Sequence, residues 1–281
     1  MPFLDHFQVE PLTGRVAFLN YEMNEHMFRD WATALGIERP ERIARPLHLR
    51  GERLLFWQPE VRDELADWLR SSEVEFLIVD PAARAGGGLV DNENDNAQVG
   101  RFTDALDELK RAAGVPDLLL ATHTGRARAE EDEERSRGAT RLEDWADSLW
   151  YLTKDKTGTR YLRAVGRDVE LEATELQYDE QRRRCRTTGQ TRTERRQEDG
   201  IQAAVDALAV LTSGGDEPPT TTELAEVIEG DKTRRSGWIK DAEFEGYIVR
   251  EQVGRKKLCR LTEQGWKLHG RRVGSKGRSE E

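Results

Sequence analysis

The chain has 281 residues, with 44 Lys and Arg against 54 Asp and Glu, and its formal net charge of -10 excludes a uniformly basic nucleic-acid coat. A hydrophobic fraction of 36% beside a charged fraction of 35% leaves enough apolar residues for folded cores and argues against wholesale disorder. The sequence has no run of about 18 apolar residues, and Asp5, His6 and Glu10 interrupt the N-terminus before a secretory segment could form, so a cytoplasmic protein with no membrane partner is expected. Cys185 and Cys259 make neither a disulfide framework nor a Cys-rich metal site.

Residues 15–20 form a short apolar strand pattern that ends at Tyr21-Glu22. Asn24 is placed to cap a helix through Leu35, with Met27, Trp31, Ala34 and Leu35 at helical spacing. Residues 47–49 and 54–56 read as short strands, and Pro59 opens a helix carrying Val61, Leu65, Trp68 and Leu69. The run Phe76-Leu77-Ile78-Val79 then fits a buried parallel strand, with Asp80 emerging at its end. Pro81 and Gly86 to Gly88 begin an excursion to about residue 96, and Asp91, Glu93 and Asp95 lack the glycine and distal glutamate of a calcium loop. Helical periodicity resumes over 99–113, followed by the strand Leu118-Leu119-Leu120-Ala121 and then Thr122-His123. Strand, helix and strand in this order predict parallel βαβ units whose strand-end polar residues gather along one edge of a sheet.

After a charged loop, residues 142–147 predict a short helix. Residues 148–152 and 159–165 predict an antiparallel hairpin at the sheet edge, closing a first domain at about residue 178. Residues 179–200 hold seven arginines and five acidic residues, which predicts a charged linker or exposed helix. Beyond it, helices are expected over 201–211, 222–228 and 232–244, then two strands about Gly254, within a domain spanning 201–273, and a flexible tail over 274–281. Three helices followed by a hairpin is the winged-helix order. Trp238, Ile239, Ala242 and Phe244 are expected to face the core of this domain, whereas Arg234, Arg235 and Lys240 on the third helix and Arg255, Lys256 and Lys257 at the wing turn are expected to meet DNA. Residues 255–278 concentrate nine Lys or Arg against the single Glu263, a local basic patch in an acidic protein. Such modules also bind proteins, which is the competing reading.

Glu22 after the early strand, Asp80 after Phe76 to Val79, His123-Thr124-Gly125-Arg126 after Leu118 to Ala121, and Arg137-Gly138-Ala139-Thr140 before Trp145-Ala146-Asp147 together resemble the RecA-fold ATPases of the replicative-helicase type, particularly RepA-like and AAA-family proteins of plasmids, phages and mobile elements. The resemblance covers residues 14–179. It implies an α/β fold with a RecA-like, mostly parallel sheet, N-terminally truncated, plus the small winged-helix domain. It also implies that Glu22 polarises the attacking water, that Asp80 is the Walker B aspartate holding Mg²⁺, and that His123 senses the nucleotide. Arg126 would be a basic nucleotide-binding residue, and Arg137 an arginine finger supplied to a neighbour in a homo-oligomer. Each residue also has a plain structural reading: Glu22 as a helix-end residue, His123 as a strand-end residue, Arg137 as a solvated charge.

The sequence departs from that family by lacking a Gly-Lys-Ser/Thr loop; Gly86 to Gly88 follow the Asp80 strand and carry no such lysine. ATP and Mg²⁺ are therefore expected only if the phosphate-binding unit is supplied, through a start placed further upstream; otherwise the chain is a truncated remnant. The expected function is a fragment of a DNA-replication or mobile-element ATPase, with a catalytically inactive DNA-binding adaptor or regulator as the alternative.

Overall fold

In the computed structural model, residues 2–123, 140–215 and 217–276 are described, the side chains of 271–276 excepted. The chain divides into two units, Met1–Gly189 and Gln190–Glu281.

The first unit is organised by four short strands that all run the same way. β1 (Arg15–Asn20) leads into α1 (Glu25–Leu35), β2 (Leu47–His48) into α2 (Pro59–Ser71), and β3 (Val74–Asp80) into α3 (Ala82–Ala85) and α4 (Asn96–Ala113), which returns the chain to β4 (Asp117–Leu120). The sheet order is β2-β1-β3-β4, every pairing parallel. Ala17, Leu19, Leu77 and Val79 are fully buried against Leu65 and Leu69 of α2 and Leu106 and Leu109 of α4. This is the burial expected of strands joined by helical crossovers, and it gives an α/β architecture of the general RecA-like type.

The helix ends follow their sequence signals. Asn24 caps α1 through the Met27 N–H, and Asp95 caps α4 by accepting from the N–H groups of Ala97 and Gln98. The excursion after Asp80 ends where the sequence places it, with α4 beginning at Asn96, and holds the short helix α3 within it. Two expectations about α1 and its surroundings differ from what the structure shows. Met27, Trp31 and Leu35 lie on the exposed side of α1, where the Arg183 guanidinium sits 4.8 Å from the Trp31 ring, while Phe28 turns inward onto Phe18. Residues 54–56 form no strand: Gln58 N–H closes a turn onto the Leu55 carbonyl, and Phe56 enters the core at a single position against Phe102.

α5 (Thr140–Trp145) is held on α4 by Trp145 Nε1–H, which donates to Asp107 at 3.0 Å, and by Arg141 N–H to the Asn96 side chain. The chain then builds a separate sheet instead of a hairpin on the edge of the parallel one. β5 (Ser148–Lys154), β6 (Arg160–Gly166), β7 (Glu170–Asp179) and β8 (Arg184–Thr191) pair in sequence order. Short turns can join antiparallel neighbours, and here the Asp155 carboxylate accepts from Thr157 and Thr159 N–H to close the first of them. The stretch expected as a charged linker is accordingly β8 and the first turns of α6. Its polarity suits an edge strand facing water.

In the second unit, α6 (Arg192–Gly214), α7 (Thr221–Val227) and α8 (Lys232–Phe244) precede the hairpin β9 (Ile248–Val253) and β10 (Lys256–Leu261), and α9 (Glu263–Lys276) follows. Thr191 and Thr220 each form a reciprocal capping box, with Glu194 and Glu223, and Asp231 caps α8. Ala204, Val205 and Leu208 of α6 meet Leu224, Ile239, Ala242, Ile248 and Cys259 in one core. Gly200 lets α6 approach Trp238 so closely that a Cβ there would stand 2.3 Å from the indole. Phe244 does not join this core; it is 89% exposed, because α8 ends on it and the chain turns inward only at Tyr247 and Ile248. Among the described residues no helix is long and apolar enough to cross a membrane.

Candidate nucleotide and nucleic-acid sites

Parallel register brings the chemistry of the first unit to one end of the sheet. Asn20 pairs with Asp80 and Val79 with Leu120, so β1, β3 and β4 finish together. The segments beyond the strands are tied across that end: Tyr21 N–H donates to the Asp80 carbonyl at 2.9 Å, and Ala82 N–H to the Ala121 carbonyl at 2.8 Å. Burial pushes the Asp80 carboxyl up from its ordinary range; the Glu22 charge pushes it further, and His123 opposes them. Glu22 and His123 are therefore each within electrostatic reach of Asp80, at the C-terminal strand ends where open α/β sheets place ligands. Glu22 and His123 are exposed and Asp80 is half-buried. Arg126 and Arg137 lie outside the described residues.

Two residues at this edge carry no mark in the sequence reading. Asn20 is fully buried and uses its side chain completely: Oδ1 accepts from Glu22 N–H (3.1 Å) and Met23 N–H (2.8 Å), while Nδ2 donates to the Met23 carbonyl (2.8 Å) and lies 3.0 Å from His48 Nδ1. The turn that presents Glu22 is thus built on Asn20. A polar residue closing an apolar strand, in the position that Asp80 takes on the neighbouring strand, is the signal that could have found it. Tyr21, beside them, is 1% exposed, its hydroxyl has no hydrogen-bond partner among the described residues, and burial pushes its pKa up.

Asp80 and Glu22 fit a Mg²⁺–nucleotide better than a protein-bound metal. Their charges repel at a half-buried site, which a divalent cation would relieve, and Mg²⁺ commonly takes only one or two carboxylates beside substrate phosphates. No group of three or more His, Cys, Asp or Glu that could hold a metal occurs among the described residues. A phosphate-binding Gly-Lys-Ser/Thr loop is not present in the sequence.

In the second unit the six basic residues singled out from the sequence do not share one surface. Arg234 and Lys240 are exposed, and Arg234 pairs with Asp231 at 3.2 Å. Arg235 is half-buried and donates to the Ala225 carbonyl at 2.8 Å, satisfying the last turn of α7. Arg255 stands at the hairpin turn after Gly254, whose φ is 61°. Lys256 pairs with Val253 and Lys257 with Gln252, so the two lysines point to opposite faces of the hairpin, Lys257 on the same side as buried Cys259.

No curated protein matches the chain. Residues 1–129 match the model of the family described as AAA domain, which is consistent with a RecA-fold ATPase and supports a nucleotide-hydrolysing function in general.

Proposed function

We propose that the chain carries the hydrolysis and sensing edge of a RepA-like, replicative-helicase-type ATPase of a plasmid, phage or mobile element, joined to a winged-helix domain that binds DNA. The observation that carries this reading is the convergence of Glu22, Asp80 and His123 at the ends of three parallel strands in a segment that matches the AAA domain. Asp80 would hold the Mg²⁺ that accompanies ATP, Glu22 would orient water, and His123 would sense the nucleotide. Bound Mg²⁺ would supply neutralisation of the developing phosphate charge. The chain's own contribution is positional: Asn20 fixes the turn bearing Glu22, and the Tyr21 N–H ties that turn to Asp80. Arg126 and Arg137 would serve the nucleotide and a neighbouring subunit of a homo-oligomer. The order α6, α7, α8, hairpin supports the winged-helix reading of the second unit.

The site assignment is tested with Mn²⁺ in place of Mg²⁺, titrated with ATP into the chain joined in frame behind a strand, Gly-Lys-Ser/Thr loop and helix, and followed by electron paramagnetic resonance. Asp80→Asn should weaken Mn²⁺ uptake by about tenfold, the effect of losing one charged ligand interaction of roughly 1.4 kcal/mol. Uptake by the wild-type chain that is indifferent to both Asp80→Asn and Glu22→Gln would remove Asp80 and Glu22 from the site. An adaptor that binds DNA without nucleotide would show no protein-dependent Mn²⁺ signal.

A further inference from the structure

The side-chain amide of Asn20 has only one way round. Its Oδ1 accepts from two backbone N–H groups, those of Glu22 at 3.1 Å and Met23 at 2.8 Å, and its Nδ2 donates to the Met23 carbonyl at 2.8 Å. Exchanging oxygen and nitrogen would set donor against donor and acceptor against acceptor in a residue with 0% exposure. The same Nδ2 lies 3.0 Å from His48 Nδ1. Nδ1 therefore accepts, which leaves the ring proton on Nε2 and the imidazole neutral. Phe28 of α1 meets the ring edge-on, with centroids 5.5 Å apart. The charged groups of the elements around it are committed to one another or face water. On α1, Glu25 pairs with Arg29 and His26 with Asp30; Glu22 beyond β1 and Arg50 beyond β2 are exposed.

We propose that His48 is a positioning residue for Glu22, and that it holds the Glu22 turn only while its imidazole is neutral. A proton added at Nδ1 would face the Asn20 amide donor to donor. Asn20 cannot answer by flipping, because Glu22 and Met23 hold its oxygen. The backbone bond from Leu49 N–H to the Asn20 carbonyl, 2.7 Å, keeps β2 in place. What is released is the side chain on which the turn is built: its buried N–H is left without an acceptor, a cost that loosens the bonds it makes to the turn. Histidine is the side chain whose ordinary charge change falls near neutral pH, so the presentation of Glu22 becomes a function of pH, held on the alkaline side and released on the acid side. The inference rests on the proposed role of Glu22 in orienting water and adds the residue that governs it.

The test uses the full chain without nucleotide, followed by NMR from about pH 8 to about pH 5. Long-range proton–nitrogen spectra of His48 should show the Nε2-protonated tautomer at the alkaline end. Hydrogen-exchange protection of the Glu22 and Met23 amides, corrected for the intrinsic pH dependence of exchange, should fall about tenfold as the ring gains its proton. His48→Asn places an uncharged acceptor oxygen where Nδ1 stands and should keep the protection across the whole range. His48→Gln carries its oxygen one bond further out and should lose the protection at every pH, with the amides of β3 showing that each variant is folded. An Nδ1-protonated neutral ring, or protection that stays constant while His48 titrates, overturns the proposal whatever the variants do. So does a fall on acidification that persists in His48→Asn, which would belong to Asp80 or His123. Because nucleotide is absent, failure of the hydrolysis reading leaves these results standing, and failure here leaves Glu22 at the reaction edge.

Discussion

The side chain of Asn20 donates to Met23 and to His48 Nδ1 while accepting from the N–H groups of Glu22 and Met23, so His48 accepts at Nδ1 and the two residues clamp the end of β1 to β2. Asn20→Ala leaves two N–H groups and the Met23 carbonyl without these partners at a buried position. Urea denaturation should show a loss of about 1–3 kcal/mol in the first unit, with an unchanged dependence on denaturant. A loss below ~0.5 kcal/mol would mean that water replaces the amide and that the turn does not depend on it.

Asp80 predicts a pH dependence of definite sign. Burial first, then the Glu22 charge, hold its carboxyl above the ordinary aspartate range against the pull of His123. A carboxyl raised in the folded state binds its proton more tightly there than in the unfolded chain. Its contribution is therefore fully present below the unfolded pKa and is lost as pH rises through the folded value. Asp80→Asn should raise the melting temperature relative to wild type at neutral pH, and the gap should close as pH falls toward the ordinary aspartate range. A variant less stable than wild type at neutral pH would show that Asp80 is held by favourable contacts instead.

Gly200 and Trp238 test the packing of the second unit. A methyl group at Gly200 would stand 2.3 Å from the indole of Trp238, and neither helix can retreat without opening the core around Val205 and Ile239. Gly200→Ala should cost about 1–3 kcal/mol, measured by thermal unfolding with tryptophan fluorescence as the probe. A neutral effect would place the two helices further apart than the structure has them.

Much of this architecture was legible in the residues, for reasons that differ between the units. Continuous apolar runs such as Phe76 to Val79 announce parallel strands, and each ends on a polar residue, so the common edge of Glu22, Asp80 and His123 follows from topology alone. The second sheet was harder to read because β8 is built from arginines, threonines and a glycine; its pairing with β7 comes from sheet position and not from apolar alternation. Side-chain direction was least legible. Arg234 and Arg235 are adjacent and identical in type, yet one faces Asp231 at the surface and the other reaches the Ala225 carbonyl, a difference set by their 100° separation around α8. The apolar character of Phe244 predicts burial, but as the last residue of α8 it stands outside the core that Ile239 and Ala242 enter.

The hairpin offers a further check on the DNA reading. Because Lys256 and Lys257 point to opposite faces, they cannot both lie flat against the same phosphate row. Replacing Arg255 and the lysine on the contacting side should lower the salt slope of duplex binding by about 1.8, from two released counterions, and the triple alanine variant should lower it no further. A slope reduced by about 2.7 in the triple variant would mean that the hairpin wraps the backbone on both faces.

Phosphate release tests the assignment of the reaction to this sheet edge most directly. With Mg²⁺, ATP and duplex DNA, the 281-residue chain should release phosphate at background level, because its sequence has no Gly-Lys-Ser/Thr loop to hold the nucleotide. Joined in frame behind a strand, Gly-Lys-Ser/Thr loop and helix, it should bind ATP and hydrolyse it. Glu22→Gln should then retain binding and slow hydrolysis by at least about 100-fold, the range of a lost general base. Turnover by the 281-residue chain that survives both Glu22→Gln and Asp80→Asn would contradict the assignment of the reaction to this edge of the sheet.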